Sequence, residues 1–341
     1  MTPKIEPDKI IYYPVAGSPV GGVLYLYGSP ASKNIALVSA GFPDDPEIFQ
    51  PFASKLALDK ETDTLVGVTC LPGYYDRKDH PWTQYKKDGF TFDEMANAMK
   101  EAAKCLCLYS TFKGPGKPKI IGIFHDWGVV PGCMWANRAK TDGVNAPDEL
   151  VLFDVLPAAS KQLEGGPRPR LDPYKLFITL FYRILFAVSF WAQRYLGNIV
   201  AMPWFVITAT LFLKLCRLSP TLDIDAKVFD ARKNPLELKR MIYMTYPYAA
   251  LFKCLLRGGK GLGGARLPSD LSAMPVLYMY GTEKRVMFHD DESKAVLEME
   301  QKEKRSKSNS IAVHGAGHYL YSDLQKLDYC FDCVKQFMMD K

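Results

Sequence analysis

The stretch IIGIFHDWGVV, residues 120–130, joins an apolar run to five residues, FHDWG, that suit a sharp turn with a carboxylate, Asp126, at its centre. The apolar run predicts a buried strand, and the residues that follow the turn predict a helix. Asp is a common turn and helix N-cap residue, so Asp126 has a purely structural interpretation. A catalytic interpretation requires partners for a nucleophile elsewhere in the chain.

Composition indicates a packed globular protein. The chain has 341 residues, of which 48% are hydrophobic and 23% charged, and its net charge is +6. This length suits one large domain with an insertion or two ordinary domains, and the composition argues against disorder. We find no nucleotide, metal or nucleic-acid motif, and we therefore expect no cofactor, no bound metal and no nucleic-acid partner.

Cysteine usage and the first residues bear on the compartment. Eight cysteines are scattered along the chain, and the start, MTPKIEPDKIIYY, has no apolar h-region. A disulfide framework is unexpected in so long a chain without a secretory signal. We expect a cytoplasmic protein, with peripheral attachment to an intracellular membrane as an alternative.

Short β-branched runs alternate with helical patterns at both ends of the chain. This alternation favours an α/β fold with a mostly parallel sheet covered by helices on both faces. Residues 1–158 and 269–341 are the predicted core. The strand-like runs are residues 10–15, 22–28, 35–43, 64–73, 119–124, 149–157, 274–284 and 309–318.

Residues 159–268 break this alternation and predict an inserted helical cap, bounded by GGPRPR and GGKGLGGARLP. No acidic residue occurs between Pro173 and Leu222, whereas basic and large apolar residues do, which favours a membrane surface over nucleic acid as the partner of residues 174–217. The uncharged stretch 195–213 is 19 residues long, just enough to span a bilayer. Three interpretations stay open: a cap buried on the core, an interfacial attachment and a membrane span. The first two imply a lipophilic substrate.

Several candidate site residues follow predicted strands. In open parallel sheets, active-site groups collect at the carboxyl ends of the strands. A carboxylate nucleophile, a second acid and a histidine occur there in an order that suits a catalytic triad. The residues are Gly41 and Phe42, Asp126, Asp154, Glu283 and His318.

The motifs taken together resemble one branch of a known superfamily. FHDWG is similar to the nucleophile elbow of the aspartate-nucleophile α/β-hydrolases, which include epoxide hydrolases and haloalkane and haloacetate dehalogenases. SAGFPDDPEIFQPFASKLA, LPGYYDRK and GAGHYLYSD resemble the HGFP segment, the strand-four loop and the histidine loop of that branch. The similarity covers residues 20–158 and 270–340. It implies an α/β-hydrolase fold, with an eight-stranded, mostly parallel sheet and an inserted helical cap.

The resemblance also implies a role for each matched residue. Asp126 would attack a carbon electrophile and form an alkyl-enzyme ester, which a water activated by His318 would hydrolyse. The backbone N–H groups of Phe42 and Trp127 would stabilise the oxyanion.

A second acid is needed to orient His318, and two positions are candidates. Many relatives carry this acid after the penultimate strand in a segment like GTEKD, but the present sequence reads GTEKR, with Arg285 at that place. Other relatives carry the acid one strand earlier, where this chain has LFDVLP. Asp154 is therefore our first choice and Glu283 the second, with a purely capping role as the alternative for Asp154.

Three further positions depart from the pattern of the branch. Phe124 stands where a small residue usually lies two before the nucleophile, Val129 lies three after it, and Ala40 replaces the histidine of HGFP. A non-catalytic, membrane-associated protein that keeps the fold is therefore one alternative function.

The leaving group separates the two enzymatic hypotheses. Relatives that open epoxides use cap tyrosines as proton donors, and the segment TYPYAALFKCLLRGG, which reads as a helix start, makes Tyr246 or Tyr248 our choice. A dehalogenase would need donors to a halide or a substrate carboxylate. Phe42 occupies the place where haloalkane dehalogenases often have Asn, and DWGVVPG lacks the arginines of fluoroacetate-type enzymes. An epoxide hydrolase is favoured over a dehalogenase.

Overall fold

The computed structural model describes residues 6–75, 86–142, 145–160, 173–216, 234–283 and 291–340. Its central feature is an eight-stranded sheet with the order β1-β2-β4-β3-β5-β6-β7-β8. Arg285 and the segment GGPRPR lie outside the described residues. The strands are β1 (Lys9–Val15), β2 (Ser18–Tyr27), β3 (Asn34–Ser39), β4 (Thr64–Thr69), β5 (Lys119–His125), β6 (Glu149–Phe153), β7 (Val276–Gly281) and β8 (Asn309–Val313).

Strands β1 and β2 form an antiparallel hairpin, and β2 pairs antiparallel with β4. All remaining pairs in the sheet are parallel. Every residue of β4 and β6 is buried, as expected for strands that helices cover on both faces. The predicted mostly parallel, eight-stranded architecture is confirmed.

The helices of the core occupy the segments between these strands. Helix α2 begins at a capping box, in which the Thr91 side chain accepts from the Glu94 backbone and Glu94 caps Thr91 in return. A 3-10 turn, Pro46–Phe49, leads directly into the α-helix Gln50–Leu58. These helices are α1 (Gln50–Leu58), α2 (Phe92–Tyr109), α3 (Val129–Asp142), α8 (Asp291–Lys302) and α9 (Leu327–Met339), while α4 to α7 lie in the insertion.

The described parts of the insertion between β6 and β7 contain four helices: α4 (Pro173–Tyr195), α5 (Asn198–Cys216), α6 (Pro235–Tyr243) and α7 (Tyr246–Leu256). Helix α4 packs against α5, α6 and α7. The helical path is interrupted between α4 and α5 at Gly197, whose φ of 82° is left-handed. Residues 195–213 are therefore not one helix. Among the described helices, none is long and apolar enough to cross a membrane.

Candidate active site

Asp126 lies on a tight turn between β5 and α3. Its φ of 48° is in the left-handed region, which is unfavourable for a residue with a Cβ. The turn is crowded: a Cβ on Gly128 would lie 2.8 Å from the carbonyl oxygen of Ser39, and one on Gly41 would lie 2.5 Å from the Trp127 nitrogen. Glycine at these two positions lets the segments around Gly41 and Gly128 pack closely against each other. The turn thus holds Asp126, with a strained backbone, at the carboxyl end of β5.

The unusual Phe124 is accommodated by two glycines that sequence reasoning did not connect with it. Its buried ring lies where side chains on Gly122 and Gly132 would be, and a Cβ on Gly132 would overlap it. The ring also makes an edge-on contact with Trp135, with centroids 6.2 Å apart. The absence of side chains at Gly122 on β5 and Gly132 on α3 therefore makes room for the large Phe124 ring, two residues before Asp126.

Backbone donors hold the Asp126 carboxylate. The Phe42 N–H donates to Oδ2 at 2.8 Å, and Asp126 is only 4% exposed. Burial raises the pKa of Asp126 above its usual value, although the nearby His318 and the N–H groups of Trp127 and Phe42 act in the opposite direction. The two N–H groups predicted to stabilise an oxyanion thus both lie at the Asp126 carboxylate.

His318 lies between two carboxylates. Its Nδ1 donates to Asp154 Oδ2 at 2.6 Å, whereas its Nε2 is 3.8 Å from Asp126 Oδ1 and has no hydrogen-bond partner among the described residues. A proton fixed on Nδ1 leaves the Nε2 lone pair directed towards Asp126. The separation from Asp126 is too long for a direct hydrogen bond, and a base can act across such a distance through one water.

Of the two candidate acids, the structure brings Asp154 to His318 and leaves Glu283 away from it. Asp154 is fully buried with a φ of 61°, and its second oxygen, Oδ1, accepts from the Gly281 N–H at 3.0 Å. Glu283 is exposed, and its backbone N–H donates to Ala316. Asp154 directly follows β6, which pairs with β7, and β7 ends at Gly281. The carboxylate of Asp154 is therefore held by Gly281 on one oxygen and by His318 on the other.

His125 is a further buried residue of the site that sequence reasoning missed. Its ring centroid lies 4.3 Å from that of His318, and its Nε2 donates to the His318 carbonyl oxygen at 3.2 Å. In the neutral ring, Nδ1 then accepts from the Tyr321 hydroxyl at 3.0 Å. His125 therefore ties the histidine loop to the elbow, and its position directly before Asp126 was the only signal for it in the sequence.

A cavity of about 110 Å³ opens at Asp126. One wall comes from the core and the other from α4 of the cap. A small molecule that fills the cavity would contact Asp126 directly. The described lining residues are Asp126, Trp127, Val130, Val155, Leu156, Tyr182 and Arg183.

The two predicted cap tyrosines have different surroundings. The Tyr246 hydroxyl donates to the Pro72 carbonyl oxygen at 3.0 Å, which commits it to a buried structural bond. The Tyr248 ring makes an edge-on contact with Trp127 at 4.9 Å, and its buried hydroxyl makes no well-formed hydrogen bond to the described residues. Tyr248 is thus the one of the two that lies beside Trp127 and is influenced by Asp126.

Electrostatics connect Tyr248 with the site. Burial raises the pKa of Tyr248 well above its usual value, and Asp126 and Tyr182 raise it further. The Trp127 indole and Arg183 act in the opposite direction. This hydroxyl is therefore firmly protonated in the resting site, as a proton donor must be.

Tyr182 and Arg183 of α4 complete the cap side of the cavity. The sequence favoured Tyr246 and Tyr248 over Tyr182, and nothing in it pointed to Arg183 as a residue of the site. The Arg183 Nε donates to the Tyr182 hydroxyl at 3.3 Å, and the Tyr182 and Tyr248 rings lie 6.2 Å apart. Burial lowers the pKa of Arg183, but Tyr182, Tyr248 and Asp126 outweigh this effect and raise it, so the guanidinium stays charged.

Comparison with known proteins identifies the fold. No protein-family model matches the chain, and no curated protein matches it. Among solved structures, a loop variant of the haloalkane dehalogenase DbeA from Bradyrhizobium elkanii is 13% identical with a TM-score of 0.61, covering 97% of this chain and 96% of that chain. A laboratory-evolved variant of potato epoxide hydrolase is 15% identical with a TM-score of 0.60, covering 97% and 99%. The epoxide hydrolase CorEH is 16% identical with a TM-score of 0.56, covering 96% and 98%. These matches confirm the α/β-hydrolase fold.

Proposed function

We propose that this chain, which has the α/β-hydrolase fold, is a hydrolase with an aspartate nucleophile and that it opens an epoxide. The observation that carries the proposal is the position of His318, bonded through Nδ1 to Asp154 and directing a free Nε2 to Asp126. Such an arrangement supplies a nucleophile, a base and an orienting acid in one buried cluster.

The first step is attack by Asp126 on an epoxide carbon. Oδ2 is engaged by the Phe42 N–H, so Oδ1 is the oxygen that forms the C–O bond of the ester. The ring C–O bond breaks as it does so, and the ring oxygen takes a proton from a cap tyrosine. Tyr248 and Tyr182 are the proposed donors, in place of Tyr246, whose hydroxyl is bonded to Pro72.

The second step is hydrolysis of the ester. His318 Nε2 takes a proton from water, and the water oxygen attacks the carbonyl carbon of the Asp126 ester. The N–H groups of Phe42 and Trp127 hold the negative charge that forms on Oδ2, an effect often worth roughly 3 to 4 kcal/mol. As this intermediate collapses, protonated His318 gives its proton to the leaving oxygen of the diol, and the proton that the attacking water left on the Asp126 carboxyl group returns to the tyrosinate.

A dehalogenase with the same nucleophile is the alternative enzyme. The Trp127 residue lines the cavity, and an indole N–H is a suitable halide donor. Two features support the epoxide instead: Phe42 offers no polar side chain as a second donor, and two phenol hydroxyls belong to the Asp126 surroundings. The expectation of a lipophilic substrate, made from the sequence, is untested, and a small cavity with a cation in its wall favours a different kind of compound.

Single turnover in ¹⁸O-labelled water tests the nucleophile. Excess enzyme is reacted with an epoxide panel and a haloalkane and haloacid panel, and the peptide that contains Asp126 is weighed. Label in Asp126, with loss of turnover in Asp126→Ala, is the expected result. Full activity of Asp126→Ala, or label in the product alone, contradicts the proposal, whereas halide release without diol formation selects the dehalogenase.

A matched pair of variants separates an enzyme from a non-catalytic protein with this fold. His318→Ala removes the base, and Glu283→Gln removes an exposed carboxylate that does not contact His318. We expect turnover to be lost only in His318→Ala. If neither variant changes any property except the melting temperature, and wild type acts on no compound in the panels, the non-catalytic alternative holds.

We also propose that the outer face of α4 and α5 contacts an anionic lipid surface. Large apolar side chains are exposed along both helices, Ile199 being 91% exposed, and residues 174–221 contain no acid to repel anionic headgroups. The exposed residues are Phe177, Phe181, Ile184, Ile199, Val200, Ile207 and Leu211.

Co-sedimentation with vesicles that contain phosphatidylserine tests this surface. Ile199→Glu combined with Ile207→Glu should abolish binding, because both changes add charge to the apolar face. Leu58→Glu, at a residue of α1 that is 77% exposed, is the control that should bind like wild type. Absence of wild-type binding, or equal binding by all three proteins, would contradict the proposal.

A further inference from the structure

Arg183 is a cation in the wall of the cavity that the proposed reaction does not require. Helix α4 places it opposite the core wall, and both it and Asp126 line the same cavity of about 110 Å³. Its Nε donates to Tyr182, and it makes no ion pair within the described part of the chain. The Nη groups of the guanidinium therefore keep their hydrogen-bonding capacity for a ligand.

A half-buried arginine beside an aspartate nucleophile has consequences for what can enter. An anion that approaches Asp126 is repelled by the Asp126 carboxylate. Burying this anion in the cavity without a counter-charge is also costly. Arg183 is the one cation among the described lining residues. It offers the planar, paired donors that match a carboxylate.

The rest of the lining suits a small carbon skeleton. Val130, Val155 and Leu156 form the apolar walls between the nucleophile and the cap. A cavity of about 150 Å³ holds the six non-hydrogen atoms of benzene, so one of about 110 Å³ accommodates a group of roughly four or five non-hydrogen atoms. The cavity thus combines a nucleophile, a short apolar wall and a cation.

We propose that the substrate is a small electrophile that carries a carboxylate, bound by Arg183 while its reactive carbon faces Asp126. This inference rests on the proposed function for the reaction but not for the binding. The apolar walls contact the skeleton of the substrate, and the guanidinium takes the anionic end. A short 2,3-epoxy acid is the simplest compound of this class.

Binding of two unreactive isosteres tests the recognition without chemistry. Cyclopropanecarboxylate and cyclopropanecarboxamide have the same shape and differ in charge, and neither can alkylate Asp126. Calorimetric titration of wild type should show binding of the carboxylate about 10- to 100-fold tighter than that of the amide, the range for a charge-assisted hydrogen bond. Equal affinity for the two compounds would overturn the inference.

Two variants on the same helix assign the preference. Arg183→Gln should remove it, whereas Arg194→Gln should leave it intact, because Arg194 bonds Asp88 at 2.7 Å and does not line the cavity. Melting temperatures show whether each variant is folded, and Arg183→Lys, which keeps the charge without the paired donors, should keep part of the preference. A carboxylate preference that survives in a folded Arg183→Gln protein would refute the assignment.

Hydrolysis of glycidate and glycidamide separates this inference from the proposed function. Arg183→Gln should lower kcat/KM for glycidate and spare that for glycidamide. Equal losses of kcat/KM for the two compounds would overturn the inference. They would indicate that Arg183 acts on the leaving oxygen indirectly, through the tyrosine hydroxyls. If the binding preference holds but neither compound is hydrolysed, the proposed epoxide chemistry fails and the carboxylate site stands.

Discussion

In the proposed two-step reaction, replacing Asp154 by Asn should block the second step, hydrolysis of the ester. In the folded protein, Asp154 Oδ2 accepts from His318 Nδ1 at 2.6 Å, and Oδ1 accepts from the Gly281 N–H at 3.0 Å. The Asn carbonyl can keep the bond to Gly281, but its NH₂ group then faces Nδ1. The imidazole must move its proton to Nε2, where it is no longer a base for water.

The size of the effect follows from the two steps. Attack by Asp126 does not use His318, and its carboxylate keeps the bond from the Phe42 N–H, so alkylation should stay within about tenfold of wild type. Ester hydrolysis loses both the correct tautomer and the charge that stabilises protonated His318. A carboxylate-to-amide change of this kind costs about 10⁴-fold, which is about 5 kcal/mol in the barrier.

Rapid-quench mass spectrometry measures both steps. Asp154→Asn should gain the mass of one substrate molecule on the peptide that contains Asp126 and then release product slowly. Glu283→Gln is the matched control and should turn over like wild type, since Glu283 is exposed and does not bond His318. Rapid turnover by Asp154→Asn without a trapped ester would refute the assignment of Asp154 as the orienting acid.

Three other variants probe separate parts of the site. Asp126→Asn should melt at a higher temperature than wild type at pH 8. Burial raises the pKa of Asp126, so ionisation of this carboxyl group costs stability above that pKa, and the difference in melting temperature should shrink as pH falls towards the unfolded value of 3.8. A constant difference in melting temperature from pH 8 to pH 4 would contradict this reasoning. Tyr248→Phe and Tyr182→Phe together should lower epoxide turnover by at least roughly 100-fold and leave halide release from haloalkanes unchanged, because only the epoxide oxygen needs a proton; an equal loss for both substrates would count against a donor role. Gly132→Ala should destabilise the fold by about 1–3 kcal/mol in urea unfolding, since its Cβ overlaps the Phe124 ring, and Phe124→Ala should relieve that cost in the double variant; a neutral Gly132→Ala would show that the ring can move.

Much of the core was predictable because its signals are local. Residues 120–124 of β5 are an uninterrupted apolar run, and α2 begins at the Thr91–Glu94 capping box. The segment FHDWG contains the residue types that a sharp turn requires. The sequence also limited the acid to two positions and ranked Asp154 above Glu283 through a family resemblance, because distance along the chain does not show which of them lies near His318. Asp154 contacts His318 across 164 residues, and that contact depends on β6 pairing with β7.

The cap side of the site was decided by tertiary structure alone. Tyr246 and Tyr248 are two residues apart at the start of α7, yet one hydroxyl bonds Pro72 and the other lies beside Trp127. Tyr182 and Arg183 enter the cavity only because of how α4 lies over the core. By itself, the sequence determined the strands of the sheet, the turn at Asp126 and the loop that carries His318, since neighbouring residues encode strand periodicity and turn geometry. The direction in which each cap side chain points was left to long-range packing, because an aromatic residue on an apolar helix fits the helix equally well whichever surface it faces.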